Sequence, residues 1–499
     1  MIDPRPVGYV VGWLVGFLGV LMLAPMALDL ADGNANFRAF ALSALLAATL
    51  GAALTLACAP GWHGRFSLRQ GFLLTSAVWG SFILVSTLPL MLGAPGLGPT
   101  RAIFEATSAL TTSGGTVITG LDSIPRGVLL WRGLLTWVGG IGIVLVALLL
   151  LPALNIGGMQ LLRSGDFNTL GKIMPRAKQI ALSCGLVYLG LTLACTLAYS
   201  WAGMEAFHAV VLGMSTVATG GMANHDDSFA GFTPAVQYIA LVFMLLGALS
   251  FVRFVQVARG DPGALLRDSQ VRAFLAIYLG FCLAMVAART LLGGETLSPS
   301  LLREVFFNMA SVITTTGFAS TDYGDWGSLA DSLFFCAMMI CGCSGSTSGG
   351  PKVFRYQLLV ADLAAEIRRL YSPRRVVTPR YEGEPVPDEV INSVMAYFML
   401  YFLTLGLGAV GLVLLGLDPL TAISGSAANL STVGAGLGPV IGPAGNYASL
   451  PDPALWLLSF LMLAGRLELM ALYVLFTPAY WREVINIPVM QWLNRIPYN

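Results

Sequence analysis

The chain has 499 residues and a net charge of +1, and 56% of its residues are hydrophobic while only 11% are charged. An ordinary soluble domain carries about 25% charged residues, so a soluble protein of this size is excluded, as is a basic nucleic-acid-binding surface. The composition indicates an integral membrane protein with room for about ten transmembrane helices.

Two apolar runs, Val7–Leu28 and Phe40–Ala59, open the chain. The first run is too long for the apolar region of a signal peptide and lacks a cleavage site of the A-x-A kind, so we expect it to be retained. Together the two runs predict an N-terminal transmembrane hairpin in residues 1–66.

Beyond the hairpin, a unit of about 100 residues repeats four times, over residues 67–160, 161–262, 263–378 and 379–499. Each unit has a long apolar run, a run of half that length that ends in Ser or Thr and Gly, and a second long run. The short runs are Thr100–Leu110, Glu205–Thr216, Pro299–Val312 and Pro419–Asn429. The second long runs are Val128–Leu151, Ala235–Val257, Leu329–Cys341 and Pro453–Tyr480, and the third of these breaks after Cys341.

The short runs are too short to cross a membrane. A helix of about 10–12 residues spans ~15–18 Å, or half of the ~30 Å hydrocarbon core. We expect each to enter halfway and to return as irregular backbone, which is stable there only if protein or a water-filled cavity surrounds it. The pairs Ser298-Pro299 and Asp418-Pro419 fit an N-cap followed by Pro at the first helical position.

Basic residues cluster in alternate connections, which predicts that these connections and both termini are cytoplasmic. The residues are Arg65, Arg69, Arg163, Lys172, Arg176, Lys178, Arg259, Arg267, Arg272, Lys352, Arg355, Arg368, Arg369, Arg374, Arg375 and Arg380. All four short runs then enter from the outer face. The predicted fold is an all-α polytopic membrane protein, with four parallel helix–pore-loop–helix repeats around a pseudo-fourfold pore and an N-terminal two-helix hairpin.

Four half-helices that enter from one side direct the negative ends of their dipoles at a common centre, which favours a cation. The backbone carbonyls that follow can replace the water shell of a dehydrated ion, as in potassium filters. The predicted filter residues are Thr112, Ser113, Gly114, Ala218, Thr219, Gly220, Thr315, Thr316, Gly317, Thr432, Val433 and Gly434. The alternative, that the glycines Gly114, Gly220, Gly317 and Gly434 are ordinary helix C-caps, is weakened by four loops at matching positions.

A second unusual stretch, residues 342–352, interrupts the last helix of the third unit. It is no phosphate-binding loop, because Pro351 follows Gly350 where Lys should stand. It is either a kink or, because so much glycine leaves backbone groups unpaired in lipid, the lining of a cavity. Arg466 lies ~20 Å along a helix from Pro453, where an arginine must face water or form a buried pair with an acidic residue such as Glu468. Glu468 is only two residues further along and so projects from a different face of a helix. Lys352 either resembles Arg466 in this respect or extends its side chain to the cytoplasmic interface.

At these residues the chain resembles the TrkH subfamily of the Trk/Ktr/HKT potassium transporters. The matching motifs are FEATSALTTSG at 104–114, GMSTVATGG at 213–221, TTTGF at 314–318 and GAGLG at 434–438. The resemblance implies a homodimer in the bacterial inner membrane, with one pore per subunit and a cytoplasmic TrkA-type nucleotide-binding ring as partner, so that any nucleotide is on the partner. It also implies an intramembrane gating loop at 342–350, with Gly342, Gly345, Gly349, Gly350, Lys352 and Arg466 in gating.

The predicted function is therefore potassium uptake, with K+ bound at the filter residues and no enzymatic activity. The alternative is a sodium- or proton-coupled secondary transporter of another cation or a small solute, which should carry an acidic residue at mid-depth. The candidates Glu105 and Glu205 fall near the starts of pore helices instead. The seven cysteines are interpreted as small core residues, and the three scattered histidines predict no metal cluster.

Overall fold

The computed structural model describes residues 3–61, 66–146, 177–374, 377–478 and 480–481. Within these ranges seven helices are long and apolar enough to cross a membrane, and two bent helix pairs raise the number to nine if each pair is one span. Some predicted features lie outside the described residues: His63, Arg65, Arg163, Lys172, Arg176, Arg375, the junction of the first two repeats and the end of the chain.

The N-terminal hairpin consists of α1 (Arg5–Leu21), α2 (Leu23–Ala31) and α3 (Phe37–Cys58), followed by a 3-10 turn at Ala59–Gly61. Its helices touch through their backbones, because a Cβ added to Gly12 would lie 2.8 Å from the carbonyl oxygen of Gly51. The buried Asp29 carboxylate accepts a hydrogen bond of 2.7 Å from the Gly127 amide at the start of a later helix. This contact fastens the hairpin to the first repeat.

The first two repeats follow the predicted order of helix, half-helix and helix. Repeat 1 has α4 (Leu68–Ser86), α5 (Leu88–Leu92), pore helix α6 (Pro99–Leu110), a 3-10 turn (Leu121–Ser123) and α7 (Arg126–Leu145). Repeat 2 has α8 (Ala177–Trp201), pore helix α9 (Ala206–Val217), α10 (Pro234–Gly247) and α11 (Phe251–Ala258), and the short α12 (Ala264–Arg267) leads to repeat 3.

Repeats 3 and 4 have the same order, with a small hairpin between them. Repeat 3 has α13 (Ser269–Ala287), a π turn (Ala288–Leu292), pore helix α14 (Pro299–Ile313), a 3-10 turn (Tyr323–Trp326), α15 (Ser328–Ile340) and α16 (Val353–Tyr371). The antiparallel strands β1 (Arg380–Tyr381) and β2 (Glu384–Pro385) follow. Repeat 4 has α17 (Asp388–Leu414), pore helix α18 (Pro419–Leu430), α19 (Gly438–Ile441), α20 (Asp452–Arg466) and α21 (Met470–Phe476).

The predicted helix starts are confirmed at two pore helices. The Ser298 hydroxyl accepts a hydrogen bond from the Leu301 amide at 3.2 Å, and the Asp418 carboxylate accepts one from the Thr421 amide at 3.0 Å. Each cap precedes a proline at the first helical position. These side chains satisfy amides that a helix of only three or four turns would otherwise leave unpaired.

The second long runs of repeats 2 and 4 form two helices each, separated by a sharp bend that the sequence analysis did not anticipate. Helix α10 ends at Gly247 and α11 leaves at 97°, while α20 ends at Arg466 and α21 leaves at 116°. The second break contains two residues with left-handed backbone angles, Glu468 at φ 59° and Leu469 at φ 47°, which cannot continue a right-handed helix. The chain therefore turns aside just below the ends of the pore helices.

The apolar core has two large clusters. One joins the N-terminal hairpin mainly to repeats 1 and 4, and the other belongs mainly to repeats 2 and 3. All seven cysteines are free thiols and five of them are buried, as expected of small core residues, whereas Cys336 is exposed and Cys58 is half-buried.

Candidate ion-conduction pathway

The four loops that follow the pore helices of repeats 1 to 4, called here loops 1 to 4, share one backbone conformation. Each has a threonine with positive φ and, two residues later, a glycine with positive φ. The threonines are Thr112, Thr219, Thr315 and Thr432, with φ between 48° and 59°, and the glycines are Gly114, Gly221, Gly317 and Gly434, with φ between 68° and 87°. The amide between them bonds to the carbonyl five residues back in every loop, from Ser113 to Ser108, Gly220 to Ser215, Thr316 to Ser311 and Val433 to Ala428.

This equivalence corrects the sequence register in repeat 2. The sequence aligned Gly220 with Gly114, but the backbone places Gly221 there and Gly220 at the middle position. Ala218 is consequently the C-cap of α9, outside the three-residue segment. Two adjacent glycines carry no side chain by which a sequence could distinguish them, and only the φ of Gly221 decides between them.

The four loops meet in a closed ring. A Cβ built on each glycine of positive φ would press against the middle carbonyl oxygen of the next repeat. The pairs run in cyclic order: Gly114 against Gly220, Gly221 against Thr316, Gly317 against Val433, and Gly434 against Ser113. We call the carbonyl oxygens of Ser113, Gly220, Thr316 and Val433 the carbonyl ring. Only glycine permits this approach, since any side chain would displace a carbonyl.

One side of the ring opens into a cavity of about 230 Å³, called here the outer cavity. Its lining includes all four glycines of positive φ, together with Arg132, His225 and Asp226. The outer cavity therefore reaches the four loops at the glycines next to the carbonyl ring. Within the described residues no group of three or more His, Cys, Asp or Glu side chains is arranged to hold a metal ion.

Of the two acidic candidates, Glu205 lies at the start of its pore helix as predicted, whereas Glu105 lies in the middle of its own. Glu105 is the seventh of twelve residues in α6 and is fully buried behind loop 1, where Arg132 pairs with it at 2.8 Å. Glu205 is exposed just before α9, 3.7 Å from His208. Arg132 was missed by sequence reasoning, although an arginine within the apolar second helix of repeat 1 was a visible signal.

The glycine-rich stretch lies directly beneath the ring. Residues 341–352, called here the inner loop, are all buried. Thr347 accepts a hydrogen bond from the Thr219 hydroxyl at 3.2 Å, and the Gly349 amide donates to the Thr315 hydroxyl at 2.8 Å. Gly349 also packs against the Thr432 hydroxyl so closely that a Cβ would overlap it. The inner loop thus contacts the innermost residue of three of the four loops.

Arg466 touches the inner loop and not Glu468. Its guanidinium donates to the carbonyl oxygen of Thr347 at 3.0 Å and to that of Gly139 at 3.4 Å, and the side chain is 2% exposed. It therefore links the inner loop to repeats 4 and 1. The alternative that pairs Arg466 with Glu468 is wrong in this arrangement, because Glu468 has another partner.

That partner is Arg355, which was expected in a cytoplasmic connection but is fully buried. Its guanidinium binds the Glu468 carboxylate at 2.5 Å and the Pro351 carbonyl at 2.9 Å, and it lies 3.8 Å above the ring of Tyr397. Lys352 is also buried and donates to the carbonyl oxygen of Ser348, so it does not extend to the interface. Three basic side chains, Lys352 in the inner loop and Arg355 and Arg466 beside it, and the Glu468 carboxylate are therefore buried together at this point.

The carbonyl ring is suited to binding a cation above the inner loop, whereas the basic side chains at the inner loop are suited to repelling one. A sequence model described as TrkH, cation transport protein, matches residues 36–483. The chain belongs to the TrkH family.

Relatives in this family match along nearly their whole length. The chain is 42% identical to the Trk system potassium uptake protein TrkI of Halomonas elongata, over 94% of this chain and 95% of that protein. It is 34% identical to the Trk system potassium uptake protein TrkH of Escherichia coli strain K12, over 96% of this chain and 99% of that protein. The crystal structure of the potassium transporter TrkH from Vibrio parahaemolyticus superimposes with a TM-score of 0.88, over 96% of this chain and 100% of that one, at 34% identity.

These matches confirm the predicted family and the all-α architecture. Members of the TrkH family are cation transport proteins, so the chain is a multi-pass membrane transporter and not an enzyme.

We predict that Glu468→Gln lowers the free energy of unfolding by about 3–5 kcal/mol, because it removes the carboxylate from a buried pair and leaves the Arg355 charge uncompensated. Denaturant titration of the purified protein in micelles measures the change. Glu366→Gln is the matched control, since its pair with Arg369 has both side chains 41% or more exposed and should cost at most about 1 kcal/mol. Equal effects of the two substitutions would contradict a special role for the buried pair.

Proposed function

We propose that this protein takes up K+ across the bacterial inner membrane through the carbonyl ring. The observation that carries the proposal is the cyclic contact of four loops of one backbone conformation. The relatives named as potassium uptake proteins support the choice of ion. The ions bind at the backbone of the three-residue segments, corrected in repeat 2 to residues 219–221.

Backbone carbonyls are the ligands in this proposal. Val433 occupies the middle position of loop 4 with the same φ pattern around it, although it has no hydroxyl, so side-chain oxygens are not needed there. The negative ends of the four pore-helix dipoles add to the attraction of a cation. The hydroxyls of Thr112 and Thr432 have no hydrogen-bond partner among the described residues and could serve as further ligands at the inner end.

A coupled transporter with an acidic binding site fits the described residues less well. The two fully or nearly buried carboxylates nearest the pathway, Glu105 and Glu468, are each engaged by an arginine at 2.8 and 2.5 Å. A carboxylate that is already paired has little remaining affinity for a transported cation. The uncommitted oxygens beside the ring belong to backbone and hydroxyl groups instead.

We infer that the inner loop closes the pathway, with Gly342, Gly345, Gly349, Gly350, Lys352 and Arg466 as its gating residues. The inner loop contacts Thr219, Thr315 and Thr432, which are the innermost residues of three of the four loops. This supports the inference, because the inner loop then occupies the space through which an ion would leave the ring. Opening would break the bond between Arg466 and Thr347. A homodimer with cytoplasmic termini, regulated by a TrkA-type nucleotide-binding ring, is the proposed assembly, and the name Trk system of the relatives supports a regulatory partner.

The proposed function is tested by expressing the chain with a cognate partner in cells that lack potassium uptake. Growth should be restored at low external K+, and 86Rb+ should enter liposomes that contain the purified protein. Failure of both assays with well-folded protein would contradict potassium uptake. A flux that requires a sodium or proton gradient would instead establish the coupled alternative.

We predict that Gly317→Ser lowers the preference for K+ over Na+ by roughly tenfold, or ~1.4 kcal/mol of differential binding. The added Cβ would press on the Val433 carbonyl at a backbone φ of 86°. Paired K+ and Na+ flux measurements in liposomes give the ratio. Gly294→Ser is the control, because its φ of 68° imposes similar strain with nothing within 4 Å. An unchanged ratio in folded Gly317→Ser protein would refute the role of this carbonyl.

We predict that Arg466→Ala increases ion flux without abolishing selectivity. At ~6 Å and an effective dielectric of ~20, the arginine opposes a cation by about 2.8 kcal/mol, which could slow passage up to about a hundredfold. The guanidinium bonds to the carbonyl oxygens of Thr347 and Gly139 and not to those of the carbonyl ring, so the ring should stay intact. Flux per folded protein and the melting temperature are measured together.

Arg466→Lys is the control for that substitution, because it keeps the charge and should keep flux near the wild-type value. Normal flux in Arg466→Ala, accompanied by a large fall in melting temperature, would show that Arg466 only holds the helices together.

A further inference from the structure

A buried ion pair joins loops 1 and 2 at the outer end of the ring. Glu105 is fully buried and Arg132 is 2% exposed, and the guanidinium Nε lies 2.8 Å from the carboxylate. The carboxylate also accepts hydrogen bonds from the Thr116 hydroxyl at 3.0 Å and the Val117 amide at 2.9 Å. Two residues of loop 1 just beyond Gly114 are thereby bound to α6.

The remaining guanidinium nitrogens of Arg132 reach the neighbouring repeat. One donates to the Ala223 carbonyl oxygen at 3.0 Å and another contacts the Met222 sulfur at 3.2 Å. Met222 and Ala223 follow directly after Gly221 in loop 2. A guanidinium is planar and its donors have a fixed geometry, so the position of loop 2 is coupled to that of Glu105 and, through it, to loop 1.

The other two loops are held without charge. In repeat 3 the Asn308 side chain occupies the position of Glu105, where it accepts from the Ser320 amide at 3.0 Å and donates to the Ser320 hydroxyl at 3.0 Å. In repeat 4 the Tyr447 hydroxyl donates to the Gly434 carbonyl at 2.5 Å. The Tyr447 amide also donates to the Thr116 carbonyl at 2.9 Å, which connects loop 4 to the charged pair.

We propose that Glu105 and Arg132 are positioning residues of the ring, which set the spacing between loops 1 and 2 and with it the preference for K+ over Na+. The proposal rests on the proposed function, because it requires that the ring selects the ion. The pair acts through its geometry and charge. A carboxylate can receive several donors at once, and only a forked cation can bind it and the carbonyl of loop 2 together.

The test compares the full-length wild-type protein with Glu105→Gln and Arg132→Lys in liposomes, with K+ and Na+ flux and the melting temperature measured for each. Glutamine has the size of glutamate but presents one acceptor and a donor to the guanidinium. Lysine keeps the charge but has one nitrogen, which cannot span both loops. We expect each substitution to lower the K+ to Na+ flux ratio about tenfold, or ~1.4 kcal/mol of differential binding.

Glu105→Asp should give an intermediate ratio, because it keeps the charge on a shorter side chain, and it serves as a second variant if the others fail to fold. Asp268→Asn is the matched control. Asp268 is 2% exposed and pairs with Arg253 at 2.5 Å, but it lies at the opposite end of α13 from the start of pore helix α14. The K+ to Na+ flux ratio of Asp268→Asn should equal that of the wild type.

A lowered melting temperature with a wild-type flux ratio in the folded variants would overturn the proposal, since the pair would then be structural only. Failure of all three variants to fold would overturn it for the same reason. A wild-type protein that does not prefer K+ would contradict the proposed function itself, whereas a selective wild type with equally selective variants would contradict only the role of Glu105 and Arg132.

Discussion

Irregular backbone at the depth of a membrane must find hydrogen-bond partners inside the protein, and this requirement organises the whole structure. In the four loops the middle amide bonds to its own pore helix, from Ser113 to Ser108 and at the equivalent positions. In the inner loop the Gly342 amide binds the Ser348 hydroxyl, and the Thr347 amide binds the Gly247 carbonyl. The ring, the inner loop and the broken helices therefore supply one another's hydrogen-bond partners, and a change in one removes partners from the others.

Small residues make this mutual arrangement possible because they bring backbones into contact. A Cβ on Gly139, Gly247 or Gly465 would collide with the carbonyl of Leu110, Val217 or Leu430 respectively, which is the last helical residue of a pore helix. The second helix of each of these repeats thus lies against the end of its pore helix without side chains between them. The loops of these three repeats are therefore supported by backbone atoms of the second helix, which have fewer conformations available than side chains do.

Much of the fold was predictable because its signals are local. The half-length apolar runs, the proline after Ser298 or Asp418 and the terminal glycine each appear in a short stretch of sequence, and α14 ends one residue from its predicted end. The break at residues 248–250 was not predictable, since Ala248, Leu249 and Ser250 include neither Pro nor Gly. Nor was the partner of Glu468, because Arg355 lies 113 residues away in the chain and the choice between Arg355 and Arg466 depends on a bend of 116°.

The presence of all four repeats in one polypeptide has a consequence for stoichiometry. In a ring of four identical subunits, every residue near the axis occurs four times. Four copies of Arg466 at ~6 Å separation would repel one another by about 3 kcal/mol per pair at an effective dielectric of ~20, and four copies of a twelve-residue buried loop would compete for the same space. Duplication within a single chain, followed by divergence of the copies, removes that constraint: a single arginine and a single loop can lie beneath a fourfold ring.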